Sequence, residues 1–305
     1  MNNSTSNSSN ASAASEPLPS RPLVLLLLDG WGVAPEGEMN ALRAAKITNW
    51  LNLIKEYPVA LLSTGEKTIN ARYLSLGTGQ DLSDENIESP FSLTQALADH
   101  NLKQLKIAET ERFAALTHFF NGHSEGQKMG EDWKIVSSEA GNHTVKPLLA
   151  LKRTVKEVIS ALHQDPPYNF IAVTIPTTDL VAATGDFNSV IKTVEAVDKN
   201  LKLIIEEVLD HKGLLLISSP NGNAEKMRLP GTDVADTSIT TNPVPLLIVG
   251  EEFKGRTVGL AEPLNNDLSL LAPIGTLADL APTILSLMNL EKPAAMTGQS
   301  ILDNK

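Results

Sequence analysis

The stretch LVLLLLDGWG, residues 23–32, places a continuous apolar run directly before Asp-Gly. Such a run, bounded by turn residues, is typical of a strand that is buried on both faces of a parallel sheet. In open α/β sheets the functional groups gather where strands end. The stretch therefore predicts a central strand at 23–28 and places Asp29 at the functional edge of the sheet.

Segments with strand and helix patterns alternate along the rest of the chain. Apolar runs predict strands at 59–63, 105–108, 170–175, 213–218 and 244–250, and helical spacing predicts helices at 40–55, 92–99, from 109, 150–163, 187–209 and 276–288. This alternation predicts the α/β class, with a doubly wound, mostly parallel sheet and helices on both faces. Besides Asp29, we expect functional groups in the segments 176–179 and 218–223, where strands end.

The chain is expected to consist of a short tail and one large domain. Residues 1–20 are rich in Ser and Asn and contain neither Lys nor Arg. Because they also lack an apolar core, they predict a disordered tail rather than a secretory signal. Residues 21–302 are expected to form a single domain, with a loop or linker from 77 to 90.

The charge balance excludes several classes of partner. The chain has 25 Lys and Arg residues against 36 Asp and Glu, a net charge of −11. Nucleic-acid phosphates and anionic lipids repel such a surface, so we expect neither nucleic acid nor a membrane as a partner. The longest apolar run, 23–28, is shorter than the roughly 20 residues that span a bilayer. There is no Cys, which excludes disulfides and zinc–thiolate sites, and we expect a cytoplasmic protein.

Several segments, taken together and in this order, carry a family resemblance. They are LLLDGWG (26–32), LKQLKIAETERFAALTHFFNG (102–122), TGDFNSVIKTVEAVD (184–198), NGNAEKM (221–227), TTNPVPLLIVG (240–250) and TLADLAPTILSLMNLEKPAAMTGQSIL (276–302). The set resembles the cofactor-independent phosphoglycerate mutases of the alkaline phosphatase superfamily. The resemblance implies an alkaline-phosphatase-like core.

The resemblance also implies a domain that this chain lacks. The family's core binds two divalent metals, usually manganese, and carries a serine that takes the phosphoryl group. A second domain, inserted after a Gly-rich segment, clamps phosphoglycerate with arginines. Here the Gly-rich segment is LSLGTGQ (74–80), and the resemblance resumes at Phe91. We therefore expect the inserted domain, with its arginines, to be deleted near 80–90.

The same registration implies that most of the metal centre is lost. Asp29 and Asp179 remain at metal-ligand positions, and Arg112 stands where the family has a lysine near the reacting phosphate. The serine position is occupied by Ile69, which has no lone pair with which to attack phosphorus or bind a metal. The other positions that have lost the family's ligand are Ala183, Pro220, Asn221 and Ile239. If Ile69 and Ile239 fill the space of the lost serine and histidine, they should pack as apolar core near Ala183. Otherwise they line an open, solvated pocket.

Other interpretations of these residues stay open. Asp29 and Asp179 are interpreted as vestigial metal ligands or as carboxylates that accept backbone N–H bonds. Arg112 is either a phosphate-binding residue or a solvated helix residue. The side chains of Asp29, Asp179, Asn221 and Asp236 offer an alternative, oxygen-only site of the type that magnesium or calcium prefers.

The function expected from these losses is that of a pseudoenzyme. It would be a phosphoglycerate mutase-like protein with a binding or structural role, whose partner is another protein, a second copy or a small phosphorylated ligand. No cofactor is expected, and manganese or magnesium would be the ion if one binds. The alternative is a remodelled phosphatase or phosphotransferase that uses the oxygen-only site and a divalent metal.

Overall fold

The computed structural model describes residues 21–35, 37, 39–82, 90–138 and 147–303. The predicted tail at 1–20 lies outside the described residues, as do residues 83–89 of the linker in which the deletion is expected. Within these ranges, no helix combines the length and the apolar character needed to cross a membrane.

Eight strands and eight α-helices follow one another along the described chain. The strands are β1 (Leu23–Leu28), β2 (Val59–Ser63), β3 (Gln104–Glu109), β4 (Glu131–Val136), β5 (Phe170–Ile175), β6 (Leu214–Ser218), β7 (Val244–Val249) and β8 (Gly275–Thr276). The helices are α1 (Ala41–Ala44), α2 (Thr48–Glu56), α3 (Ile69–Thr78), α4 (Leu93–Asp99), α5 (Pro147–Leu162), α6 (Thr177–Ala182), α7 (Phe187–Asp210) and α8 (Leu280–Leu287). Short 3₁₀ and π turns connect some of them.

The strands form one sheet in the order β4-β3-β5-β1-β6-β7-β2-β8. β1 pairs in parallel with β5 on one side and with β6 on the other, so the apolar run at 23–28 is the central strand. β7 runs antiparallel to both β6 and β2. The prediction of a mostly parallel α/β sheet is confirmed.

Apolar side chains of β1 enter both faces of the sheet alternately, as they must in a pleated strand. Val24, Leu26 and Leu28 face a layer that includes residues of α2, α5 and α7. Leu23, Leu25 and Leu27 face a second layer, which includes residues of α3, α4 and α8. All six are buried, so helices cover both faces of the sheet, as predicted.

Three predicted boundaries were wrong. The helix expected at 40–55 is broken by the extended backbone of Ala45, giving α1 and α2. The loop expected from 77 begins later, because α3 continues to Thr78 and ends at Gly79 in the left-handed region (φ 64°). The helix expected from 109 begins at Thr110, close to its predicted start, but it is a 3₁₀ turn at Thr110–Arg112 that continues through residues 113–114 into a π-helical segment at Ala115–Phe119.

Candidate functional site

The candidate site lies where three adjacent parallel strands end. Asp29 directly follows β1, Asp179 lies in the first turn of α6 just after β5, and Asn221 lies shortly after β6. The parallel register brings these strand ends to one edge of the sheet, and a bridge between Gly30 and Gly222 continues the pairing beyond β1. The structure therefore brings together Asp29, Asp179 and Asn221, as the sequence predicted for strand ends.

Arg112 joins the two aspartates. It ends the 3₁₀ turn after β3 and reaches across β5, where its Nε donates to Asp29 Oδ2 at 2.6 Å and its Nη2 donates to Asp179 Oδ2 at 2.6 Å. Only 14% of the Arg112 side chain is exposed. It is thus neither a solvated helix residue nor a free phosphate ligand, since a phosphate would compete with two carboxylates that it already binds.

The second oxygen of Asp29 is occupied by hydroxyl groups. Tyr73 Oη donates to Asp29 Oδ1 at 2.8 Å, and Thr174 Oγ1 donates to the same oxygen at 3.1 Å. Tyr73 projects from α3 and is completely buried. The carboxylate of Asp29 is therefore surrounded by protein donors and has no exposed surface.

Asp179 is held in the same way by two amides. Asn221 Nδ2 and Asn223 Nδ2 donate to Asp179 Oδ1 at 3.0 and 2.9 Å. The amide oxygens of Asn221 and Asn223 have no hydrogen-bond partner among the described residues. These two amide oxygens are neutral acceptors beside the Asp179 carboxylate, whose own oxygens already accept hydrogen bonds.

Burial dominates the electrostatics of the site. It raises the pKa of Asp29, although the Arg112 guanidinium opposes this shift, and it raises the pKa of Tyr73 well above the usual value. Burial alone would lower the pKa of Arg112, but the charge of Asp29 and other neighbours raises it overall. Burial also raises the pKa of Glu109 to about 8, assisted by the charge of Glu111. Arg112 is therefore the permanent cation of the site.

The remaining predicted site residues lie around this ion pair without joining it. Asp236 is buried, lies 3.6 Å from Lys226 Nζ and accepts from the backbone N–H of Ser238. Its oxygens do not form a compact acidic group with those of Asp29 and Asp179 in the described part of the chain. Pro220 is buried, and its carbonyl oxygen faces the buried side chain of Arg72.

The expectation that Ile69 and Ile239 fill an apolar core near Ala183 was wrong. Ile69 is half-buried at the start of α3, where it packs against the edge of the second apolar layer. Ile239 is half-buried but belongs to neither layer, and Ala183 is exposed at the end of α6.

The donor set does not fit a centre of two divalent ions. Each aspartate already accepts bonds from a guanidinium and from neutral donors, so an ion would have to displace Arg112 first. The amide oxygens of Asn221 and Asn223 could serve as neutral ligands of a hard ion, but they add no negative charge to the site. Ile69, Ala183 and Ile239 supply no donor atom at all. The arrangement is that of an internal ion pair.

Sequence reasoning missed three residues that complete the site. Tyr73 and Thr174 bind Asp29, and Glu109 lies beside Thr177. Asn223, which binds Asp179, lies in the segment 218–223 where functional groups were expected. Signals existed for Tyr73, which falls within the family's nucleophile motif, and for Glu109, which falls within AETE. Nothing in the spacing of Thr174 on a buried strand distinguishes it from core.

Comparison with known proteins shows which superfamily the chain belongs to. The model of the metalloenzyme superfamily matches residues 21–292. The 2,3-bisphosphoglycerate-independent phosphoglycerate mutase of Desulforudis audaxviator is 38% identical over 212 residues, which are 69% of this chain and 38% of that protein. The mutase of Clostridioides difficile is 33% identical over 233 residues, 74% of this chain and 43% of that protein. The chain thus spans about two fifths of the length of these curated relatives.

Solved structures show the same relationship. The phosphoglycerate mutase of Leishmania mexicana, solved at low cobalt concentration, superposes with a TM-score of 0.54 at 27% identity, covering 67% of this chain and 38% of that one. The alkaline phosphatase of the Antarctic bacterium TAB5 gives a TM-score of 0.60 at 10% identity and covers 90% and 99% of the two chains, which shows a shared fold. The chain belongs to the alkaline-phosphatase-like metalloenzyme superfamily and within it is related to the cofactor-independent phosphoglycerate mutases.

Proposed function

We propose that this chain is a non-catalytic phosphoglycerate mutase-like protein that uses the family's core for binding or as a structural element. One observation carries the proposal: the Arg112 guanidinium bridges Asp29 and Asp179. A buried guanidinium between two carboxylates offsets one of their two negative charges and supplies both with hydrogen bonds. This supports a site whose carboxylates are held by the protein itself.

The nucleophile position supports the same proposal. Phosphoryl transfer in this family requires a hydroxyl that attacks phosphorus, and Ile69 offers none. Catalysis of phosphoryl transfer depends almost entirely on positioning and on charge stabilisation. Here the Arg112 guanidinium is already bound to two carboxylates, so it is not free to stabilise a transferring phosphoryl group.

The domain organisation is part of the proposal. Residues 21–302 would form a single domain from which the family's inserted domain has been deleted near 80–90. The matched regions cover about two fifths of the full relatives, which agrees with the loss of a large segment. The partner would be a protein, a second copy of the chain or a small phosphorylated ligand, and the predicted cytoplasmic location stays a prediction.

The test measures metal and turnover on one preparation of untagged protein. After incubation with Mn²⁺ and desalting, elemental analysis should find well under one equivalent of manganese. Conversion of 3-phosphoglycerate to 2-phosphoglycerate and hydrolysis of a generic phosphate ester should not exceed the blank, whereas a full-length relative treated identically should convert phosphoglycerate. Two bound manganese ions, or mutase turnover abolished by Asp29→Asn, would overturn the proposal. Ester hydrolysis that requires Mg²⁺ or Mn²⁺ would support the remodelled phosphatase instead.

A further inference from the structure

A group of two histidines and one glutamate lies near the amino ends of the strands, at the end of the sheet opposite the candidate site. His163 directly follows α5, and Glu207 and His211 lie one turn apart at the end of α7. α5 leads into β5 and α7 leads into β6, so both helices end near the amino ends of these strands. Asp29 instead follows the carboxyl end of β1, which is parallel to both. The length of the strands therefore separates this group from the candidate site.

The geometry of this group is convergent. His163 Nε2 lies 2.9 Å from Glu207 Oε1, and His211 Nδ1 lies 3.4 Å from the same oxygen. One ligand atom from each residue lies within 4.8 Å of the other two, and no other group of this kind occurs in the described ranges. The two imidazole rings meet edge to face with centroids 4.9 Å apart.

These distances suit a shared transition-metal ion. Two imidazoles and one carboxylate are ligands that Zn²⁺ accepts, and bonds of about 2.0–2.1 Å to a tetrahedral ion place its ligand atoms about 3.3 Å apart. The separations of 2.9 and 3.4 Å lie on either side of that value. His211 Nδ1 donates to the Glu207 carbonyl oxygen at 2.9 Å, so His211 would have to release that bond or bind the ion through Nε2. Imidazole also suits Ni²⁺ and Cu²⁺, whereas Mg²⁺ prefers oxygen ligands.

The ordinary interpretation of this group is that Glu207 forms ion pairs with both histidines. Exposed pairs of that kind contribute little to stability, and they do not require two rings at one carboxylate oxygen. The His163 side chain is 61% exposed, so an ion has direct access to it. The side chains of Glu207 and His211 are mostly covered, so they lose less conformational freedom when an ion binds. Access on one side and ordered ligands on the other are what a surface metal site needs.

We propose that His163, Glu207 and His211 form a binding site for one divalent transition-metal ion, with Zn²⁺ as its natural occupant. The ion would tie the end of α5 to the end of α7, and a solvent molecule would complete its coordination. This site is independent of the proposed function, because none of its residues belongs to the Arg112 ion pair.

The test uses untagged, chelator-treated protein and titrates it with Zn²⁺ by calorimetry, with Mg²⁺ for comparison. The variants are His163→Gln, His211→Gln and Glu207→Gln. The matched control is His100→Gln, since His100 also follows its helix, α4, and its Nδ1 also contacts the carbonyl oxygen four residues earlier, of Ala96, at 2.9 Å. The corresponding contact of His211 with the carbonyl of Glu207 is likewise 2.9 Å.

The unsubstituted protein should bind one equivalent of Zn²⁺ and gain melting temperature, and Mg²⁺ should do neither. Each of the three variants should weaken Zn²⁺ binding at least about tenfold, because loss of even an outer-shell partner has that effect. The control should bind as the unsubstituted protein does. Far-UV circular dichroism without metal checks that the variants fold.

Two outcomes would overturn the proposal. One is that the unsubstituted protein takes up no Zn²⁺ in the micromolar range. The other is that Zn²⁺ binding survives His163→Gln and His211→Gln but is lost in Asp179→Asn, because the ion would then occupy the candidate site. That second result would count against the proposed function as well, whereas the first would leave it untouched.

Discussion

Arg112 decides the chemistry of the candidate site at the scale of single residues. Its two contacts at 2.6 Å pair one positive charge with two carboxylates that are almost completely buried. Breaking a buried ion pair by removing one partner is costly, because the other partner is left as an unpaired charge. Arg112 therefore stabilises the fold at the place where the family's enzymes hold metal.

Replacement of Arg112 by methionine tests this role. Arg112→Met leaves Asp29 and Asp179 without their cation, so we expect a loss of about 3–5 kcal/mol in the free energy of unfolding, measured with urea at pH 7. Mn²⁺ should then raise the stability of the variant, since the carboxylates are free to bind it, but not that of the unsubstituted protein.

The matched control for this prediction is Arg43→Met. Arg43 pairs with Asp267 at the surface, with 38% of its side chain exposed, and such pairs contribute about 0–1 kcal/mol. Equal losses in the two variants, or equal stabilisation of variant and unsubstituted protein by Mn²⁺, would show that Arg112 does not act as an internal cation.

Glu109 predicts a pH dependence of stability. Burial, followed by the charge of Glu111, raises its pKa from 4.5 to about 8. Between these values the folded protein holds a proton that the unfolded chain has lost, so the stabilising contribution is complete below pH 4.5 and is lost as the pH rises to about 8. Glu109→Gln keeps a neutral side chain at all pH values and should remove this loss. We expect the free energy of unfolding of the variant, minus that of the unsubstituted protein, to be about 2–5 kcal/mol larger at pH 8.5 than at pH 4.5.

Urea unfolding between pH 4.5 and 8.5 measures this effect. Glu125→Gln, in an exposed loop, is the control and should follow the unsubstituted protein throughout. Parallel pH profiles of the Glu109 variant and the unsubstituted protein would mean that Glu109 is ionised in the folded state.

Single elements show what the sequence could and could not predict. Continuous apolar runs predicted β1, β2 and β5 at their observed bounds, because both faces of these strands are buried. β4 was not predicted, since it lies at the edge of the sheet and its sequence EDWKIV has exposed charges and no apolar run. Gly77 was placed in a loop because residues 77–90 are rich in Gly, Asp, Glu and Ser, whereas here it lies inside α3.

The site was predictable only in part for a similar reason. The family motifs located Asp29, Asp179, Asn221 and Arg112 one by one. Their contacts depend on β3, β5 and β1 being neighbours in the sheet, and this arrangement joins residues that are far apart in sequence. The motifs therefore supplied the residues but not the ion pair.

Gly77 also predicts how closely α3 packs against the π turn at Ala115–Phe119. A Cβ atom on Gly77 would lie 1.9 Å from the carbonyl oxygen of Phe120, which is backbone and has little room to move. Gly77→Ala should therefore destabilise the protein by about 3 kcal/mol, the upper part of the range for overpacking. Gly126→Ala is the control, because no atom lies within 4 Å of its Cβ, and it should change stability by less than about 0.5 kcal/mol. Similar melting temperatures for the two variants would contradict the close packing.

The whole molecule is organised around one uninterrupted sheet. Both apolar layers draw side chains from β1, β2, β5 and β6, so neither layer can be removed without exposing strands that the other layer covers. Adjacent strands are hydrogen-bonded from β4 at one edge to β8 at the other. The described residues thus offer no boundary at which the core divides into separately folding units.

This organisation predicts that the core unfolds in a single cooperative transition, although chains of this size often populate intermediates. The three tryptophans report on two distant regions. Trp31 and Trp50 are in contact in the first apolar layer, with ring centroids 5.0 Å apart, whereas Trp133 lies on edge strand β4 and packs on Phe113 at 5.7 Å. We expect the urea midpoint from Trp133 fluorescence in a Trp31→Phe/Trp50→Phe variant to coincide with the midpoint from far-UV circular dichroism of the same variant. In Trp133→Phe only Trp31 and Trp50 remain, and their fluorescence midpoint should likewise coincide with the circular dichroism midpoint of that variant. Because both midpoints come from the same variant, a general loss of stability shifts them equally.

The contrary outcome is that Trp133 fluorescence changes at a lower urea concentration than the circular dichroism signal does. In that case β3 and β4 unfold before the centre of the sheet. Arg112, which follows β3 directly, would then leave Asp29 and Asp179 unpaired in the intermediate, so Mn²⁺ should stabilise that intermediate selectively.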